Sequence, residues 1–150
     1  MNDADLLTAF EDCSLPIEQW THRAHIRVAY LFASTHDFAS AVDRMREKIK
    51  AYNKTIDTPE AIDRGYHETI TVAFMTLVFA ANVQTGPHES SNEFCEVHPE
   101  LLTKQALLSY YSRERILTMK AKAGFIEPDL CPLPIVVGDS ITICNVVIKI

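Results

Sequence analysis

Apolar positions recur along most of this chain at helical spacing, and they mark segments of two kinds: some carry one apolar stripe, others are apolar on every side. Leu6, Leu7 and Phe10 share a face, Asp3 offers an N-cap and Pro16 lies beyond the end, which predicts an outer helix from Ala4 to about Cys13. Thr21 offers a cap to a second helix ending near Thr35, and its Ile26, Val28, Ala29, Tyr30, Leu31 and Phe32 leave no wide polar face. Such a helix belongs inside a bundle. Asp37 starts a third, in which Phe38, Val42, Met45, Ile49 and Tyr52 form one stripe opposite Asp43, Arg44, Arg46, Glu47 and Lys48, as in an outer helix packed on a core.

Thr58-Pro59 predicts a short helix to Arg64, stopped by Gly65. From Tyr66 to about Val83 the chain is again apolar nearly all round. Its β-branched residues admit a strand, but eighteen residues exceed ordinary strand length and favour a helix. Thr85-Gly86-Pro87 breaks it, Ser90 with Glu93 forms a capping box for a helix through Val97, and Pro99 opens another to about Tyr111. Ser112 and Thr118 start two further short turns or helices, the last ended by Gly124. Beyond Pro134 the composition turns β-prone around Gly138-Asp139. Two strands alone are marginal in water, so this tail must pack on the helices, join a partner or remain an extension. The expected fold is all-α: a compact multi-helix bundle with two buried central helices in a single domain over residues 1–134, and a short apolar C-terminal extension over 135–150.

At 150 residues the chain can bury a core without disulfides or a structural metal. Lysine and arginine number 14 against 20 acidic residues, a net charge of −6 that disfavours nucleic acid or an anionic membrane as the main partner. Cys13, Cys95, Cys131 and Cys144 show no metal-binding or disulfide-framework spacing, and no apolar run reaches the roughly 18–20 residues of a membrane span. With an acidic start where a signal peptide needs positive charge, the expectation is a soluble cytoplasmic protein with reduced thiols.

The candidate chemistry lies at the starts of the two most apolar helices. His22 and His25 fall three residues apart on one helical face, with Ala29 leaving room beside them and Phe32 continuing the line. On the other helix His67 is followed at helical spacing by Thr71, Phe74 and Val78, with Glu68 about 100° round. If the two helices bring these ends together, His22, His25 and His67 converge, and Glu68 can serve as a fourth metal ligand or a general base. Imidazoles plus a carboxylate suit a divalent ion such as zinc, iron, nickel or manganese, and three protein ligands leave a position open for water or substrate. A hydrogen-bonded polar network without metal is the alternative. His36-Asp37 imitates a phosphohydrolase dipeptide, but Asp37 is needed as a helix cap. Farther on, Tyr111 could orient a substrate or donate a proton, and Arg113 offers a planar donor fork to a carboxylate or phosphate.

Four stretches, Trp20 to His25, Gly65 to Thr71, Tyr110 to Glu114 and Ala121 to Asp129, read W-T-H-x-A-H, G-Y-H-E-T-I-T, Y-Y-S-R-E and A-x-x-G-[FW]-x-E-P-D. In these the chain resembles an uncharacterised family of small bacterial helical proteins, over most of residues 15–134. The resemblance implies site positions and gives no substrate, and the sequence after Pro134 does not look like the family's ending.

The leading expectation is therefore a metal-dependent enzyme, a hydrolase or oxygenase, acting on a small anionic molecule. His22, His25, His67 and Glu68 would hold the metal, Glu68 and Tyr111 would act in catalysis, and Arg113 and Thr71 would bind substrate. The alternatives are a non-catalytic small-ligand binding or sensing module, and an interaction protein that forms a homo-oligomer through its tail.

Overall fold

The computed structural model describes residues 1–137, 140–143 and 146–149. Seven α-helices are present among them: α1 (Asp3–Glu11), α2 (His22–Thr35), α3 (Phe38–Thr55), α4 (Glu68–Thr85), α5 (Ser91–Val97), α6 (Arg113–Ile116) and α7 (Met119–Ala123). The fold is an all-α bundle. α2 and α4 pack against each other at its centre, α3 lies against both, α5 packs on α2, and α7 on α4. Their central position follows from composition, since α4 buries Ala73 to Ala81 without interruption and so presents apolar surface to every neighbour. Leu6, Phe10, Phe32, Tyr52, Phe94 and Tyr111 join one continuous hydrophobic core.

Local capping sets most helix starts. The side chains of Thr21, Asp37, Ser90, Ser112 and Thr118 each accept the amide three residues ahead, as the sequence predicts. At α1 the cap is Asn2 rather than Asp3, which frees the Asp3 carboxylate for a different task. The helix expected from Pro59 to Arg64 does not form. That stretch makes a tight turn closed by an Ala61–Arg64 bridge, followed by Gly65 with φ of 83°. That left-handed backbone favours glycine, and a side chain there would also push the Glu60 carboxylate aside. The helix expected from Pro99 to Tyr111 is instead two 3-10 segments, Pro99–Leu102 and Lys104–Ser109, divided at Thr103, whose hydroxyl caps the second.

The tail contains three short strands, β1 (Ile135–Val137), β2 (Ser140–Ile143) and β3 (Val146–Lys149), paired antiparallel in that order. The backbone of β1 and β2 runs alongside α4, the first of the three alternatives open to so short a sheet. The expected Gly138-Asp139 turn lies outside the described residues.

Candidate functional site

The first turns of α2 and α4 open onto one cavity of about 380 Å³, within the size range of small-molecule sites. Its walls are mainly apolar, built from Ile26, Ala29, Met45, Ile70, Phe74 and Leu107 among others. His22, His25, His67, Thr71 and Arg113 all line it, so the starts of α2 and α4 border one space. Tyr66, Arg64, Lys104 and Lys122 line it too, and nothing in the periodicity singled them out.

Each histidine is held by a main-chain carbonyl, and because a carbonyl only accepts, the nitrogen facing it carries the proton. His22 donates from Nε2 to the Leu101 oxygen at 2.9 Å, and His25 from Nδ1 to the Thr21 oxygen at 2.8 Å. His25 also stacks on Trp20 with ring centroids 3.7 Å apart, and Trp20 stacks in turn on Phe10 at 4.4 Å. His22 meets Phe74 edge-on at 4.9 Å, which links the two helix starts directly. The His25 ring borders the cavity and is partly buried by the protein around it. Desolvation pushes its pKa down to about 4, against the bond to Thr21 and with a smaller contribution from nearby His22 and Lys104. Desolvation lowers the His22 and His67 pKa values as well.

His67 stands differently. It is the N-cap of α4 rather than a member of its first turn: Nδ1 accepts the Ile70 amide at 3.1 Å, and Nε2 donates to the Ile116 carbonyl at 2.9 Å. Both ring nitrogens are used, so no lone pair is left for an ion. Glu68 turns away from the cavity. Its carboxylate receives Arg46 Nε at 2.8 Å, Arg46 Nη2 at 2.6 Å and the Tyr66 hydroxyl at 2.6 Å. Hydrogen bonds from Arg46 hold its pKa below the usual carboxylate value. Among the described residues, no group of three or more His, Cys, Asp or Glu side chains is placed to hold a metal ion. The expected ligand set of His22, His25, His67 and Glu68 is therefore not assembled, and Glu68 is not placed to act on a molecule in the cavity. Its position fixes Tyr66, which lines the cavity beside Thr71. An Arg46–Glu68–Tyr66 chain thus runs from α3 to the cavity.

Tyr111 is fully buried and donates to the Ile126 carbonyl at 2.7 Å, outside the cavity lining, so its expected catalytic role finds no substrate-facing position. Arg113 does reach the cavity. With Arg64 and Lys104 it forms an exposed cationic mouth, opposed there by Asp63. Among the described residues these three cationic side chains make no hydrogen bond or ion pair. Lys122 is already committed, donating to Glu60 Oε2 at 2.7 Å and to the Tyr66 carbonyl at 2.5 Å.

Two polar networks escaped the sequence reading. Arg27, inside the otherwise apolar α2, bonds Asp3 at 3.1 Å and Ser91 Oγ at 2.8 Å, while Asp3 also accepts the Ser91 amide and hydroxyl. A charge in an all-round apolar helix was the available signal, because it must find a partner. The second network joins Thr85 to His88 and His98 at 3.0 and 2.8 Å, with His98 also meeting Glu100 at 2.9 Å. No protein-family model, curated protein or solved structure matches the chain.

Proposed function

We propose that this protein binds a small organic molecule, mostly apolar and carrying an anionic group, in the cavity between the starts of α2 and α4. The observation that carries this reading is the composition of one partly open cavity: apolar walls, imidazoles held in fixed orientations, and a mouth where Arg64, Lys104 and Arg113 outnumber Asp63. Such sites combine apolar surface, which supplies affinity, with a few placed polar groups that set orientation. A planar guanidinium at the mouth suits a carboxylate, and a cationic ligand would meet like charge there.

Binding is favoured over turnover. A general base works best with a pKa near the working pH, and His25, at about 4, is a weak base at neutrality. His67 is saturated, and the Glu68 carboxylate is enclosed by Arg46 and Tyr66. What remains is a set of neutral imidazoles and apolar walls behind a cationic mouth, suited to holding a molecule.

Calorimetric titration with benzoate, cinnamate and 2-naphthoate tests the reading. The expected result is saturable one-to-one binding of at least one of these acids, strongest for the larger rings. It should be lost in Ala29→Leu, which fills space in the wall while the far-ultraviolet spectrum stays helical. Binding of none of the three acids, or binding unchanged by Ala29→Leu, contradicts the proposal.

A further inference from the structure

We propose that the ligand is a hydroxyl-bearing organic acid, whose hydroxyl donates to the histidine wall while its carboxylate lies at the cationic mouth. This inference rests on the cavity being a ligand site and names the class of molecule it takes. His25 places its proton on Nδ1 toward the Thr21 oxygen, and His22 places its own on Nε2 toward the Leu101 oxygen. The opposite nitrogens, Nε2 of His25 and Nδ1 of His22, are then acceptors, and no described donor reaches either. Their ring centroids lie 6.5 Å apart on the same wall.

The surroundings keep these acceptors neutral. Burial disfavours the imidazolium in both rings, and the nearby Lys104 charge acts in the same direction. A neutral imidazole with its donor already spent can satisfy a ligand only by accepting, and a site built to accept a proton-bearing group discriminates against the analogue lacking it. An amine could also donate, but a protonated amine would face Arg64, Lys104 and Arg113 at the mouth. A hydroxyl carries the donor without the charge. His67 makes the comparison within one molecule, since both of its nitrogens have partners and it offers a ligand nothing further.

Three probes on the full chain separate the possibilities: 2-naphthoate, 6-hydroxy-2-naphthoate, and 6-methoxy-2-naphthoate, which keeps the oxygen but cannot donate. The hydroxy acid should bind roughly three- to tenfold more tightly than 2-naphthoate, the return of one well-placed hydrogen bond, and the methoxy acid no more tightly than 2-naphthoate. In the double variant His22→Phe/His25→Phe, which removes both acceptors and retains a ring to stack on Trp20, the preference for the hydroxy acid should shrink to within about twofold. As a readout on the wild-type protein, the unprotonated ring nitrogen of His22 or His25 should shift in nitrogen-15 spectra with the hydroxy acid and not with the methoxy acid. Equal binding of all three acids overturns this inference and leaves the cavity reading standing. A hydroxyl preference with no shift at either nitrogen also overturns it. Binding of none of them removes both.

Discussion

His67 is the residue whose role the structure changes most. As a cap that also ties α4 to the Ile116 carbonyl, it joins two elements, so His67→Ala should lower unfolding stability by about 1–2 kcal/mol in urea titration. The loss should be the same with or without a chelator, since both ring nitrogens are held by the chain itself. His25 makes a different prediction through its charge. The unfolded chain takes up this proton near pH 6.5, while the folded ring resists it until about pH 4. Between those values the unfolded state binds more protons, so stability falls as pH drops through the window and the loss levels off below it. The effect is on the order of 3 kcal/mol for the full shift, and His22 and His67 act with the same sign. Urea midpoints at pH 7.5 and pH 4.5 should differ less for His25→Phe than for the wild type; an equal difference contradicts the assignment.

At the scale of elements, α2 and α4 were legible because the evidence for them is local. Thr21 caps α2 as predicted, the apolar run identifies α4 as central, and Phe74 follows His67 and Thr71 onto the cavity wall at the expected spacing. Illegible were features decided by tertiary partners. Nothing local tells that Glu68 would meet Arg46 from α3, or that Pro59 would open a turn closed by Ala61 and Arg64 instead of a helix. The first turn of α4 also starts two residues later than the Tyr66 start the pattern implies, because His67 takes the cap position. That single displacement turns a candidate ligand into a structural group. The latch on α1 was hidden for the same reason. Asp3 joins Arg27 of α2 and Ser91 of α5, so Asp3→Ala should leave a buried guanidinium without its counter-charge and cost about 3–5 kcal/mol. Melting curves would show it, and a shift no larger than that of an exposed Asp43→Ala control would argue against the latch.

Over the whole molecule, the bundle places its histidines in separate neighbourhoods. Three line the cavity, His88 and His98 share the Thr85 network, and His36 bonds the end of α2. No described helix is long and apolar enough to cross a membrane. The cationic mouth stands out on a chain of net charge −6, a local reversal that would draw an anion to one place on an otherwise repelling surface. This division of the histidines supplies an internal control for the central claim, that the space between the starts of α2 and α4 is a ligand site. Histidine ring signals followed by nuclear magnetic resonance during titration with 6-hydroxy-2-naphthoate test it most directly. The account predicts that the His22 and His25 signals move together to saturation while those of His36, His88 and His98 stay in place. Movement of the His88 and His98 signals instead, or saturable binding that leaves His22 and His25 unmoved, would contradict it.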